Sequence, residues 1–191
     1  MSRAGEPATW AAAELPSIDA LNAMPLAGFI EAMVPLFDGA PVFLGRLAGA
    51  RPFAGYADLW PGALAIARAM PEAERLELIN AHPRLGAPPA SVSPMSFREQ
   101  GYDQEAATAA TADAIRVAAE ATRVAAELKR LNAAYEARFG FRFCVFVNGR
   151  SRQALLPVIE AALEADRATE IRRALGDVIA IAADRARTLA R

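Results

Sequence analysis

A single histidine, His82, sits in the run Asn80-Ala81-His82-Pro83-Arg84-Leu85-Gly86 of a 191-residue chain. Imidazole titrates near neutrality, so metal-free acid–base chemistry at pH 7 has one obvious carrier here. A lone histidine is more often a surface or satisfied core residue, and its setting has to make the case. Seventeen residues on stands Glu99, in Ser96-Phe97-Arg98-Glu99-Gln100-Gly101. Ser-x-x-Glu has the spacing of a capping box: the hydroxyl accepts a backbone N–H and the carboxylate reaches back to the Ser96 amide. That reading starts a helix at Ser96 and puts a hydroxyl, a carboxylate and an amide where free N–H groups favour anions.

The elements around these residues follow from periodicity. Leu26, Phe29, Ile30, Met33 and Val34 have helical spacing, with Pro25 in the first turn and an end near Phe37. A short helix runs from Pro41 to near Gly49, and another from Tyr56 to Met70. Pro71-Glu72-Ala73-Glu74 is a strong helix start that must end by His82, because Pro83 biases its predecessor away from helical angles. Four prolines and Gly86 stiffen residues 83–95 into a loop that can fold His82 and Glu99 together. About 104–138 reads as one long helix, and Arg116-Val117-Ala118-Ala119-Glu120 returns as Arg123-Val124-Ala125-Ala126-Glu127, each copy pairing Arg with Glu at i, i+4. Such a repeat is first of all a solvated helix face. Phe141 to Val147, closed by Asn148-Gly149, is the one stretch that reads as extended. A lone strand has no ladder, so its backbone must find side chains, water or a ligand. Two helices, Ser151–Ala165 and Thr169–Leu189, finish the chain. Ile171, Leu175, Val178, Ile179 and Ala182 form a stripe on the last. The expected fold is all-α: a flexible arm over 1–16, then one domain of about eight helices over 17–191, with a short extended segment near 141–147.

Composition narrows the function. Hydrophobic residues make up 54% of the chain, enough for a packed core, and 21 basic residues against 22 acidic ones leave a net charge of −1. That balance argues against nucleic-acid or membrane-surface binding. Cys144 is the only cysteine, so neither an internal disulfide nor a cysteine metal cluster can form. With one histidine as well, a zinc site is not expected. No Gly-rich phosphate loop suggests an organic cofactor, and no cofactor is expected. No apolar run approaches the roughly 20 residues of a membrane span. Met1 to Pro7 lacks the apolar stretch of a signal peptide, and a cytoplasmic location is expected.

The set of His82-Pro83, Ser96-x-x-Glu99-Gln100 and Leu131-Asn132-x-x-Tyr135-x-x-Arg138-Phe139-Gly140-Phe141 resembles the OHCU decarboxylase family, in order and spacing. Arg51-Pro52-Phe53 and the run Thr169 to Val178 extend the resemblance over about 17–190. The family acts on 2-oxo-4-hydroxy-4-carboxy-5-ureidoimidazoline, late in the oxidation of urate to (S)-allantoin. The resemblance implies a cofactor-free carboxy-lyase, with His82 as acid/base and Glu99 as its partner. It further implies that Pro83, Ser96 and Gln100 line the substrate, and that the backbone of Phe143, Cys144, Val145, Phe146 and Val147 meets the polar edge of the ureido-imidazoline ring. Arg185 matches an arginine the family places at the site, and a homodimer is implied.

The chain departs from the family in three places. Phe139-Gly140-Phe141-Arg142-Phe143 stands where Phe-Gly-Phe-Pro-Phe is common, which predicts a looser entry to the strand. Asp38-Gly39-Ala40-Pro41-Val42 replaces acidic-His-Ser-Pro-Trp, losing one packing aromatic. The Ala-rich repeat lengthens the helix before Asn132. The second and third of these motivate an alternative: a catalytically silent helical interaction module on the same scaffold.

Overall fold

The computed structural model describes residues 15–102 and 114–190. The arm expected over 1–16 falls almost wholly outside these residues, as does 103–113, where the long helix was expected to begin. Among the described residues the fold is all-helical: α1 (Ile18–Ala23), α2 (Leu26–Phe37), α3 (Pro41–Gly49), α4 (Tyr56–Ala69), α5 (Glu72–Ala81), a 3₁₀ turn at Pro89–Ser91, α6 (Pro94–Glu99), α7 (Ala114–Phe139), α8 (Arg152–Leu163) and α9 (Arg167–Leu189). None of them is long and apolar enough to cross a membrane.

The last helix organises the rest. All five residues of its expected stripe are buried, together with Ala174, Ile181 and Ala186. That face packs against α2, α4 and α5, while α7 lies along α8. Each fully buried Leu or Ile contributes roughly 1.5–3 kcal/mol of transfer free energy. Leu36, Leu47, Leu59, Leu78 and Leu175 are all without solvent exposure. The core therefore holds α2, α4, α5 and α9 in fixed relation, and these helices carry His82 and Arg185 at their ends.

Two local readings need correction. Helix α6 starts at Pro94, not Ser96: Ser93 is the N-cap, and its hydroxyl accepts from the Ser96 N–H at 3.2 Å. A proline is pre-set for the first helical position, so Pro94 fixes the start. Ser96 then lies inside the helix and Glu99 is its last residue, so the capping box does not form. In the repeat, Glu120 pairs with Arg123 and Glu127 with Arg130 at i, i+3, so that Arg123 meets Glu127 at i, i+4 only as a longer-range charge interaction, and the Arg116 side chain lies outside the described residues. The Arg123 and Arg130 side chains are more than half exposed, as a solvated face requires.

The segment from Phe141 to Val147 is extended and pairs with no strand. Its aromatic residues anchor it. Phe141 and Phe143 pack on Tyr135 with centroids 5.5 and 5.1 Å apart, and Phe139 joins from α7 at 4.6 Å. Its entry is not loosened by Arg142. The Arg142 N–H donates to Asn80 Oδ1 at 2.9 Å, a bond that proline could not make. The guanidinium adds bonds to the Asn80 carbonyl at 2.6 Å and the His82 carbonyl at 3.2 Å.

Candidate active site

His82 is the C-cap of α5. Its backbone is extended, as the following proline demands, and only 3% of the residue is exposed. Its Nδ1 lies 2.9 Å from Oδ2 of Asp38. The same oxygen lies 2.9 Å from Nη2 of Arg185. Both approaches are close, but their angles fall outside hydrogen-bond range. His82 Nε2 is buried and has no hydrogen-bond partner among the described residues.

Asp38 caps α2 in the left-handed region, with φ 51°. Gly39 (φ 118°) and Ala40 (φ 53°) continue the left-handed turn into α3. Burial pushes the Asp38 carboxyl up, but the close His82 ring and the Arg185 charge outweigh it and hold the pKa below its ordinary 3.8. Ser93 Oγ adds a donor 3.3 Å from Oδ1.

Arg185 is 2% exposed and joins α9 to α2 and α6. Its Nε and Nη2 grip Glu99 in a fork, at 2.7 and 2.8 Å. Nη2 also reaches Ser96 Oγ at 3.0 Å. Nη1 donates to the Pro35 and Leu36 carbonyls at 3.1 and 3.4 Å, last-turn carbonyls of α2 that lack helical partners. Burial disfavours the guanidinium charge, yet Glu99 and Asp38 restore it and raise the pKa above its ordinary value. Glu99, read as the partner of His82, is thus held by Arg185, and the carboxylate at the imidazole is Asp38.

A cavity of about 290 Å³ opens in front of this group. Its wall includes His82, Pro83, Ser96, Glu99, Gln100, Phe143, Cys144, Val145, Phe146, Val147 and Arg185. The structure therefore brings all eleven sequence-derived residues to one place, at the small end of the size range for ligand pockets. Asp38 lies behind His82, outside that wall. Gln100 lines the cavity but also ties down the loop: its Oε1 accepts from the Gly86 N–H at 2.7 Å, and its Nε2 donates to the Arg84 carbonyl at 3.3 Å. Gly86 cannot be replaced there without strain. Its φ is 77°, and a Cβ would meet Leu128 Cδ1 at 3.0 Å. Cys144 is fully buried, and burial drives its thiol well above the ordinary range, which makes it a poor nucleophile. Among the described residues, no group of three or more His, Cys, Asp or Glu side chains converges in a way that would hold a metal.

Asp38 is the carboxylate of this group that sequence reasoning missed. The segment from Asp38 to Val42 was read only as the site of a lost aromatic. The usable signal was the acidic position itself, which the family pattern also carries.

An all-helical scaffold with one buried histidine in the wall of a small cavity is the class that this fold and site define. A sequence profile for OHCU decarboxylase matches residues 22–187. The chain belongs to the OHCU decarboxylase family. It is 31% identical over 166 residues to the uric acid degradation bifunctional protein PucL of Bacillus subtilis, covering 87% of this chain and 31% of that protein. The bifunctional homologue from Bacillus sp. (strain TB-90) is likewise matched over 30% of its length, so the chain spans about a third of either protein. It is 29% identical over 157 residues to the 2-oxo-4-hydroxy-4-carboxy-5-ureidoimidazoline decarboxylase of Haloferax volcanii, covering 81% of this chain and 84% of that one. In fold it is similar to a crystal structure of OHCU decarboxylase in the presence of (S)-allantoin, with TM-score 0.57, 21% identity, and coverage of 78% of this chain and 90% of that chain.

The Asp38 contact gives a pH prediction. A carboxyl whose folded pKa lies below its unfolded value contributes stability that is complete above the unfolded value and lost as pH falls through the folded one. Wild-type protein is expected to lose stability to urea below about pH 4. Asp38→Asn should lack part of that loss. Equal dependence of the two urea midpoints on pH between 5 and 2.5 would contradict the contact.

Proposed function

We propose that this chain decarboxylates 2-oxo-4-hydroxy-4-carboxy-5-ureidoimidazoline to (S)-allantoin without a cofactor. The observation that carries this reading is a buried imidazole whose Nδ1 faces a carboxylate while Nε2 has no partner among the described residues, in the wall of a small cavity. Asp38 behind the ring selects the tautomer and supports the charge when Nε2 takes a proton. The substrate supplies its own electron sink. Its carboxylate-bearing carbon adjoins a ring C=N, so the electron pair left by CO2 enters that bond. His82 handles the proton that the neighbouring carbon then receives on one face. Glu99, held by Arg185, is placed for the substrate hydroxyl, and the backbone of 143–147 for the ring's polar edge.

The test is direct. Freshly generated substrate should disappear faster with protein than without, and circular dichroism should follow (S)-allantoin as it forms. Equal rates with and without protein would favour the silent interaction module. The lost aromatic at 38–42 supports that alternative, whereas the intact His82–Asp38–Arg185–Glu99 group supports the enzyme.

A cytoplasmic location and a homodimer belong to the same reading. Alanine-rich helix faces allow close helix–helix approach, and twofold pairing is the commonest assembly for such proteins. Light scattering at micromolar concentration should give about twice the 20.3 kDa chain mass. A monomer with full activity would show that the interface is not needed.

A further inference from the structure

The extended segment has no ladder, and its peptide groups sort by parity. The Arg142 N–H goes to Asn80 Oδ1. The Cys144 carbonyl accepts from Arg173 Nη1 at 2.9 Å. The Phe146 carbonyl accepts from Arg150 Nη2 at 2.5 Å. In extended backbone, successive residues turn their N–H and C=O to opposite edges. The partnered groups are those of even-numbered residues. At Val147 the chain enters its closing turn, where the carbonyl accepts from the Arg150 N–H at 3.1 Å. Among those left without a hydrogen bond to another described residue are both the N–H and the C=O of Phe143 and of Val145, in a segment that walls the cavity.

Arg173 and Asp177 are not catalytic groups, since neither lines the cavity. Their own surroundings fix them. Arg173 forks onto Glu170 at 3.1 and 2.8 Å, meets Asp177 Oδ2 at 2.6 Å, and lies 4.9 Å from the centre of the Phe143 ring. Glu170 is 2% exposed and accepts from the Tyr135 hydroxyl at 2.8 Å. A buried network of this kind is costly unless all its members are satisfied. Here it joins α7 and α9 to one edge of a strand that no other strand supports.

We propose that Arg173 and Asp177 are positioning residues: Arg173 binds the Cys144 carbonyl to α9, Asp177 holds Arg173, and together they present the peptide groups of Phe143 and Val145 to the substrate. The proposal rests on the decarboxylase reading above. It predicts a split between binding and turnover. In Arg173→Met and Asp177→Asn, KM and the dissociation constant for (S)-allantoin should each rise about ten- to a hundredfold, the range for losing a charged hydrogen bond. Saturated turnover should change less than about threefold, because His82 and Asp38 stay in place. Arg173→Lys should recover part of the affinity, keeping a donor for Cys144 but not the fork onto Glu170. If Arg173→Met does not fold, Asp177→Asn and Arg173→Lys decide the matter. Folded variants with unchanged KM and allantoin affinity, or a loss confined to kcat, would overturn the proposal. Wild-type protein without activity would instead count against the decarboxylase reading.

Discussion

His82→Ala and His82→Asn should lower kcat/KM by about 10²–10⁴-fold, the usual contribution of a positioned acid–base group. The fold should survive, because His82 is a C-cap whose backbone bond, N–H to the Ile79 carbonyl at 3.3 Å, does not involve the side chain. Far-ultraviolet circular dichroism and urea midpoints check the fold, and substrate disappearance checks the rate. The two variants differ usefully. Asn keeps a polar group beside Asp38, whereas Ala leaves that carboxylate facing a hole, so Ala should be the less stable. A folded variant turning over at near wild-type rate would remove His82 from the mechanism.

Arg185→Met carries the largest expected loss of stability. It removes the cation that Asp38 and Glu99 share, and it strips the last-turn carbonyls of α2 of their donor. Breaking a buried ion pair from one side typically costs about 3–5 kcal/mol, because the remaining charge stays buried and unpaired. Activity should fall as well, by about 10²-fold, since Glu99 and Ser96 lose the group that orients them. Arg185→Lys should rescue little, as an ammonium cannot form the fork onto Glu99 while also reaching α2. Urea melts of the two variants beside wild type provide the measurement. A loss below about 1 kcal/mol would place Arg185 outside the structural keystone assigned to it.

Local chemistry explains what could be read in advance and what could not. The helices were legible because their apolar spacing and terminal prolines act within a few residues, as α5 and α9 illustrate. The extended segment was legible because aromatic and β-branched residues are bounded by Gly140 and Asn148-Gly149. Helix α6 was misplaced because Ser96-x-x-Glu99 and Ser93-Pro94 both offer a start, and the proline decides. Asp38 escaped because its role depends on α2, α5 and α9 meeting, and no local pattern encodes that meeting. Arg142 was read as a lost proline, although its N–H and guanidinium hold Asn80 and His82 across the same junction. Glu99 was found by motif, but its ion pair with Arg185 was not, since sequence order says nothing about which charges α9 brings to α6.

The left-handed turn at Asp38, Gly39 and Ala40 has a consequence for electrostatic reorganisation. Non-glycine residues in that region cost of order 1–3 kcal/mol, although aspartate tolerates it better than most. In exchange, the direction of the Asp38 carboxylate is set by its own backbone as well as by its rotamer, with Ser93, Arg185 and His82 closing around it. A dipole or charge fixed in this way does not have to turn when a proton arrives at or leaves the neighbouring ring. Water would have to, and that rearrangement makes up much of a proton-transfer barrier in solution. The strain at one turn thus becomes a permanent field, present before any ligand enters and unchanged after it leaves.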